Sequence, residues 1–374
     1  MQPTTPKSGN TQKYVTLANL LSGQIEAGIL KPGARLPSMA DLKEIYGASQ
    51  PTAERAYALL EKDGLIIRKP YKGVYVADLG QTRRQCVLGI SIPPSLHGHT
   101  YYERIVRGIQ SVAREEQLEL LFLHENSVVR WEKVDGVILA IQSRKVYESV
   151  PQGMPLVSLM QPLRNGASVV SDDRAAIHAL VEHLVLLGHR RIAFLTAGLM
   201  RFKLADIFYP DITHRTRVDA YYEAMRAAGI EPETAWVRPL RDPREPMKRF
   251  EELGSDATLK WLAEDWRQLG CTAIMAHNDE TAIGVIEELE RAGLRVPQDV
   301  SVVGFDGLDI ANYFRPRLTT VEVPLEEIGA QGARMLLEQV RTPVAALRAN
   351  KDTRRLDLVS QLRVGESTGP PPQS

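Results

Sequence analysis

The chain has 374 residues, 44% of them hydrophobic and 25% charged, with 46 acidic and 46 basic side chains. Such a composition excludes wholesale disorder, and the length allows two or three domains. No apolar run reaches the roughly 18 residues needed to span a bilayer, and the polar start MQPTTPKSGNTQKY lacks an apolar signal core, so a cytoplasmic protein with no membrane partner is expected. The two cysteines, Cys86 and Cys271, open strand-like runs and read as packing thiols in a reducing compartment. The charge is unevenly placed. Residues 1–84 carry seven Lys and five Arg against three Asp and four Glu, which points to a polyanion partner for this end of the chain.

Residues 1–12 are polar and read as a disordered N-terminus. Leu17, Leu20, Leu21 and Ile25 then mark the apolar stripe of a first helix over 13–27. Lys31-Pro32-Gly33-Ala34 places Pro and Gly at the two central positions of a type II turn. Ser38-x-x-Asp41 has the form of a capping box for a second helix, and Gly47 suits the left-handed position after its end. A third helix runs through SQPTAERAYALLEK, with Ser49 as its cap and Pro51 in the first turn, where a missing N–H costs nothing. Helical spacing turns Ala53, Ala56, Tyr57 and Leu60 inward and Gln50, Thr52, Glu54, Arg55 and Glu61 outward. Strands at 65–68 and 74–76 close the region as a two-stranded wing bearing Lys69 and Lys72.

Helix, helix-turn-helix and basic wing over 13–78 form a DNA-binding arrangement. The second helix of such a pair enters the major groove, and its first residues meet base edges. Its free N–H groups and positive dipole end attract phosphate. Double-stranded operator DNA is therefore the expected partner. The candidate contacts are Ser38, Ser49, Gln50, Thr52, Glu54, Arg55, Lys69 and Lys72.

Residues 79–85 read as a polar linker. From Cys86 onward, apolar strands such as VLGISI, VDGVILAI, RRIAFLTAG and VSVVGFDG alternate with helices near 175–187, 215–228, 255–269 and 280–292. Near-continuous apolar strands between helices predict a doubly wound α/β sheet, which binds ligands at the carboxyl ends of its strands. Asn278, Asp279 and Asp306 fall at strand ends, and Arg217 falls in the first turn of a helix. Together such groups suit a polyol; singly, each also suits a helix cap or the surface. No strand is followed by G-x-G-x-x-G, no Ser sits in G-x-S-x-G, and His178 and His183 are five residues apart, not the four that align two ligands. An enzyme, a metal site and a cofactor are therefore not expected.

Two resemblances sharpen this. ILKPGARLPS, DLKEIYGAS and ERAYALLEKDGLIIRK…KGVYV resemble the winged helix of GntR-type bacterial regulators. Gln50 and Glu54 stand where that family usually carries Arg, and Ala40 where many members do, which implies a different operator. AHNDETAIGVIEELERAGLRVPQDVSVVGFDG, RPRLTTVEVPLEEIGAQGARMLLE and VEHLVLLGHRRIAFLTAG resemble the effector domain of the LacI/GalR repressors. The implied architecture is an N-terminal winged helix-turn-helix joined to a two-lobed, doubly wound α/β domain of the periplasmic-binding-protein type, covering 86–368. Its lobes would be 86–188 with 321–352 and 189–320 with 353–368, followed by a disordered tail at 369–374. The resemblance implies effector contacts at Arg217, Asn278 and Asp306, at the aromatic pair Tyr101 and Tyr102, and, in an acidic pair, at Asp172 or Asp173, of which Asp172 is taken. Gly307 and Gln161 stand where relatives often have acids. The layout resembles that of arabinose-responsive repressors and implies a homodimer released from its operator by a small sugar. The alternative is a regulator that requires a co-repressor or activating ligand, such as a purine or phosphorylated sugar.

Overall fold

Leu17, Leu21, Leu42, Ala53, Ala56, Tyr57, Leu60 and Ile66 are buried together, and they draw three helices into one small core. The computed structural model describes residues 9–69, 73–77, 86–91, 100–124, 129–139, 144–163, 166–197, 212–240, 248–264, 266–342 and 352–373. The chain divides into two units, Met1–Gln85 and Cys86–Ser374.

In the first unit, α1 (Gly9–Glu26), α2 (Met39–Tyr46) and α3 (Gln50–Lys62) precede the antiparallel strands β1 (Ile66–Lys69) and β2 (Gly73–Val76). Helix α1 starts inside the segment expected to be disordered, its first turn built from polar residues. Capping and turn chemistry set the chain reversals. Asp41 Oδ2 accepts from the Ser38 N–H at 2.7 Å and Ser38 Oγ from the Asp41 N–H at 3.2 Å, while Gly33 and Gly47 take positive φ values of 76° and 63°. The wing is broader than the expected hairpin. Leu36 N–H donates to Val74 O and Val76 N–H to Ala34 O, both at 2.8 Å, so the segment after the Pro-Gly turn joins it. Lys72 and the linker 79–85 lie outside the described residues.

The second unit opens with β3 (Val87–Ser91), α4 (Thr100–Glu115), β4 (Glu119–Leu123), β5 (Gly136–Leu139), α5 (Arg144–Ser149), β6 (Leu156–Leu159), β7 (Ala167–Ser171) and α6 (Asp173–Leu186). It continues with β8 (Ile192–Thr196), α7 (Ile212–Ala227), β9 (Val237–Pro239), α8 (Phe250–Glu264), α9 (Trp266–Leu269), β10 (Ala273–Met275), α10 (Asp279–Arg291), β11 (Ser301–Val303) and α11 (Ile310–Tyr313). Last come β12 (Thr320–Glu322), α12 (Leu325–Arg341), β13 (Arg355–Leu358) and β14 (Gln361–Arg363). Among the described residues, no helix is long and apolar enough to cross a membrane.

Two parallel sheets define two lobes, in the orders β13-β7-β6-β5-β3-β4 and β11-β10-β8-β9. Strand order reverses between β3 and β5 in one and between β8 and β10 in the other. Each reversal opens a crevice at the strands' carboxyl ends. The antiparallel pair β12–β14 carries the chain between the lobes. The last crossing therefore lies after Leu358 rather than near 353, because β13 pairs in parallel with β7 and belongs to the first lobe's sheet. The closing segment is not free through its whole length either. Gly369 O accepts from His189 Nε2 at 2.9 Å, its N–H donates to Ser301 Oγ at 3.0 Å, and His189 Nδ1 meets Thr272 Oγ1 at 2.8 Å.

Both lobes are clamped by a helix pair that meets glycine to glycine. A Cβ on Gly108 of α4 would stand 1.8 Å from Glu326 O, and one on Gly329 of α12 would stand 2.0 Å from Ile105 O. In the second lobe the corresponding distances are 1.9 Å from Gly284 to Glu251 O and 2.3 Å from Gly254 to Thr281 O. The obstacle in each case is backbone, which cannot swing aside. Gly108→Ala is expected to force α4 from α12 at a cost of roughly 1–3 kcal/mol, seen as a lower Tm in thermal denaturation. An unchanged Tm would mean that the helices separate freely.

Candidate functional site

Two sets of residues carry chemistry, one in each unit. On the first unit, Gln50, Glu54 and Arg55 are exposed on the first two turns of α3. Thr52 is not on this face. It is buried at 6% exposure, and its Oγ1 lies 2.8 Å from Ser49 Oγ, so the hydroxyls of both residues are engaged locally. The reason is helical phase, since Thr52 stands beside the inward Ala53 and a turn before Ala56. Ser49 correspondingly makes no side-chain bond to the helix backbone. Ser38 is engaged in the α2 capping box, and Lys69 ends β1.

The second site lies where the carboxyl ends of both sheets converge. Asp173, the first residue of α6, accepts from Arg217 Nε at 2.7 Å and from the Ser171 hydroxyl. Arg217 Nη1 donates to His277 O at 3.1 Å, and its guanidinium lies 3.6 Å from the centroid of the Phe305 ring. Both charged side chains are buried. Burial alone would lower the Arg217 pKa, but Asp173 and Asp306 outweigh it, and the net direction is upward. Arg217 sits in the second turn of α7, because that helix begins at Ile212. Asp172, the expected acid, instead caps α6 by accepting from the Ala175 N–H at 3.0 Å. The residue beside it reaches the site because the first helical position points inward where the cap points back along the helix.

Asn278 caps α10. Its Oδ1 accepts from Thr281 N–H at 2.9 Å and Thr281 Oγ1 at 2.6 Å, which leaves its amide N–H groups as donors. Asp306, just past β11, is buried with φ 105°, a backbone state that side-chain-bearing residues seldom adopt. It is held there by β12, since its N–H donates to Val321 O at 3.0 Å and its carbonyl accepts from Val323 N–H at 3.2 Å. Burial raises its pKa well above the usual carboxylate range, against the pull of Arg217. Tyr101 and Tyr102 open α4 with ring centroids 4.9 Å apart, edge to face. Burial and the Asp306 charge push both phenols upward.

Three further residues shape this site. Asp279 is fully buried and accepts from Leu308 N–H at 2.7 Å and from the Thr320 hydroxyl, so it ties the Asp306 loop to β12. Arg104 on α4 donates to Gly307 O at 3.1 Å and lies 3.8 Å from Glu322, which is also 3.6 Å from Arg363. Gly307 has φ 69°, and a Cβ there would stand 2.5 Å from Glu322 Cα. No acid fits at this position, which accounts for the glycine. Sequence placed Asp279 among the strand-end polar groups or as a helix cap but not as the brace of the Asp306 loop, and nothing in sequence singled out Arg104.

A helix-turn-helix unit with a wing, joined to two α/β lobes with a polar buried cleft, defines a DNA-binding transcriptional regulator with an effector domain. Residues 181–368 match the periplasmic binding protein-like domain family and residues 13–76 the bacterial regulatory proteins of the gntR family. The chain belongs to the periplasmic binding protein-like family and carries a GntR-type head. It is similar to the arabinose metabolism transcriptional repressor of Geobacillus stearothermophilus, 27% identical over 89% of this chain and 93% of that protein. It is also similar to the ribose operon repressor of Escherichia coli (strain K12), 25% identical over 65% of this chain and 72% of that protein. Among solved structures, a LacI family transcriptional regulator from Mycobacterium smegmatis aligns with TM-score 0.60 and 25% identity over 76% of this chain and 99% of that one. A LacI family regulator from Enterococcus faecium with bound ribose shares the fold, with TM-score 0.60 and 23% identity over 76% of this chain and 99% of that one.

Burial raises the Asp279 pKa from 3.8 to about 7. The folded state then holds this proton more tightly than the unfolded state, so the contribution to stability falls as pH rises from about 4 to 7. Asp279→Asn removes that titration. Its Tm relative to the parent protein is expected to rise between pH 5 and pH 8; a constant difference would show that Asp279 does not titrate in this window.

Proposed function

We propose that this protein is a homodimeric repressor, acting in the cytoplasm, that leaves its operator when a small sugar binds between the two lobes. The observation that carries this is the buried Arg217, fixed by Asp173 at the start of α6 and by the Phe305 ring, with Asp306 and Asn278 alongside. A guanidinium, a carboxylate and an amide complement the paired donors and acceptors of vicinal hydroxyls. The aromatic pair Tyr101 and Tyr102 suits the apolar face of a sugar ring. The ribose-bound neighbour and the arabinose and ribose repressors support a pentose-like effector.

The head, residues 13–78, would bind a two-fold related operator through two copies of α3, joined by the linker 79–85 to the effector domain. Gln50, Glu54 and Arg55 meet base edges in this reading, and the charges of Lys69 and Lys72 would serve phosphate binding. Arg104 and Glu322 place a first-lobe helix against the Asp306 loop and the crossing strand β12. A ligand held at Asp306 and Arg217 therefore favours one lobe arrangement, and effector and operator affinities are reciprocally coupled, typically by about 1–3 kcal/mol.

Asp306→Ala is expected to abolish the effect of sugars on operator binding while leaving ligand-free operator affinity unchanged. Fluorescence anisotropy of labelled operator across a panel of pentoses and hexoses reads both. Equal loss of operator binding and of response would make Asp306 a structural residue and remove it from the effector site.

A further inference from the structure

The exposed start of α3 carries an acid where a DNA-facing surface would ordinarily be cationic. Gln50 Nε2 donates to Glu54 Oε1 at 3.3 Å, one helical turn apart, and both side chains are exposed. Thr52 is turned into the core, so its hydroxyl does not compete for a base, and the Ser49 hydroxyl before the helix is bonded to it. Pro51 offers no donor. Glu61, further along the helix, is engaged by Arg68 Nε of β1 at 2.9 Å. Gln50, Glu54 and Arg55 remain as the polar groups on the first two turns, and Glu54 is the one that only accepts.

A carboxylate is repelled by phosphate, so its favourable place in a groove is against an exocyclic amine on the floor. In the major groove those amines are cytosine N4 and adenine N6. Adenine sets the N7 lone pair beside its amine, where it opposes a second carboxylate oxygen; cytosine presents a C–H there. The amide of Gln50 holds the carboxylate from one side and keeps it from turning back along the helix.

We propose that Glu54 is a specificity-determining residue that reads one cytosine in each operator half-site, with Gln50 as its positioning residue. This rests on the assignment of the head as the DNA-reading module and goes beyond it to the base that is read.

The test is selection from a randomised duplex library by the full-length protein and by Glu54→Ala, Glu54→Gln and Gln50→Ala, at one salt concentration, with Tm measured for each. The parent protein is expected to enrich a half-site with cytosine at one position. Replacing that C·G pair by T·A should weaken its binding about tenfold or more. Glu54→Ala should lose the discrimination at that position alone. Glu54→Gln should shift it toward adenine, since glutamine pairs bidentately with adenine N6 and N7. Gln50→Ala should blunt the cytosine preference without moving it. An enriched half-site that is the same for the parent and both folded Glu54 variants would overturn the proposal while leaving the head a DNA-binding module. Failure of the parent protein to enrich any sequence would overturn the DNA-reading assignment itself, and the role of Glu54 with it.

Discussion

The effector domain depends on one buried ion pair. Asp173 opens α6, which follows the first-lobe strand β7 and packs on α7, so the chain crosses between the lobes near 172 rather than near 188. The 2.7 Å contact of Asp173 with Arg217 of α7 lies out of water. Burying two charges is costly, and attraction offsets that cost only when the remaining donors and acceptors are also met. Here they are met by Ser171, by His277 O and by the Phe305 ring. Removing either partner would leave the other buried and unpaired, a loss on the order of 3–5 kcal/mol. The pair thus fixes the orientation of the guanidinium and joins the start of α6 to α7, at the point where the chain leaves β7 of the first lobe.

The Asp306 loop is built by the same logic. A strained backbone at Asp306 persists because β12 bonds it on both sides and Asp279 holds the next turn. Glycine at 307 follows from the closeness of Glu322, and the Gly307 carbonyl then becomes the acceptor for Arg104. A site residue, a crossing strand and a helix of the other lobe are linked through bonds of ordinary length. Such a connected, densely packed element has few intermediate arrangements, which is what a ligand-driven switch requires.

Much of the head was legible in sequence because its signals are local. The capping box at Ser38 and Asp41 and the left-handed Gly47 are each decided within four residues. Thr52 shows where local reading stops: a polar side chain near the start of an amphipathic helix looks outward until a neighbouring hydroxyl lets it turn in. In the effector domain, β7 carries little strand signal, because its sequence, ASVVS, holds only two large apolar residues. It is nonetheless wholly buried, with Ser168 satisfied by accepting from the Leu163 N–H at 2.8 Å.

Sequence by itself determined the two-module order, the alternation of strands and helices, and the strand-end positions of Asn278 and Asp306. These follow from periodicity, turn residues and motif spacing, all short-range properties of the chain. Only the tertiary structure decided which of two adjacent acids meets Arg217, where the chain crosses for the last time, and that Asp279 and Arg104 brace the Asp306 loop. Those outcomes depend on contacts between residues 44 positions apart for Asp173 and Arg217 and 203 apart for Arg104 and Gly307. No local pattern encodes such distances, because they exist only once both sheets are packed.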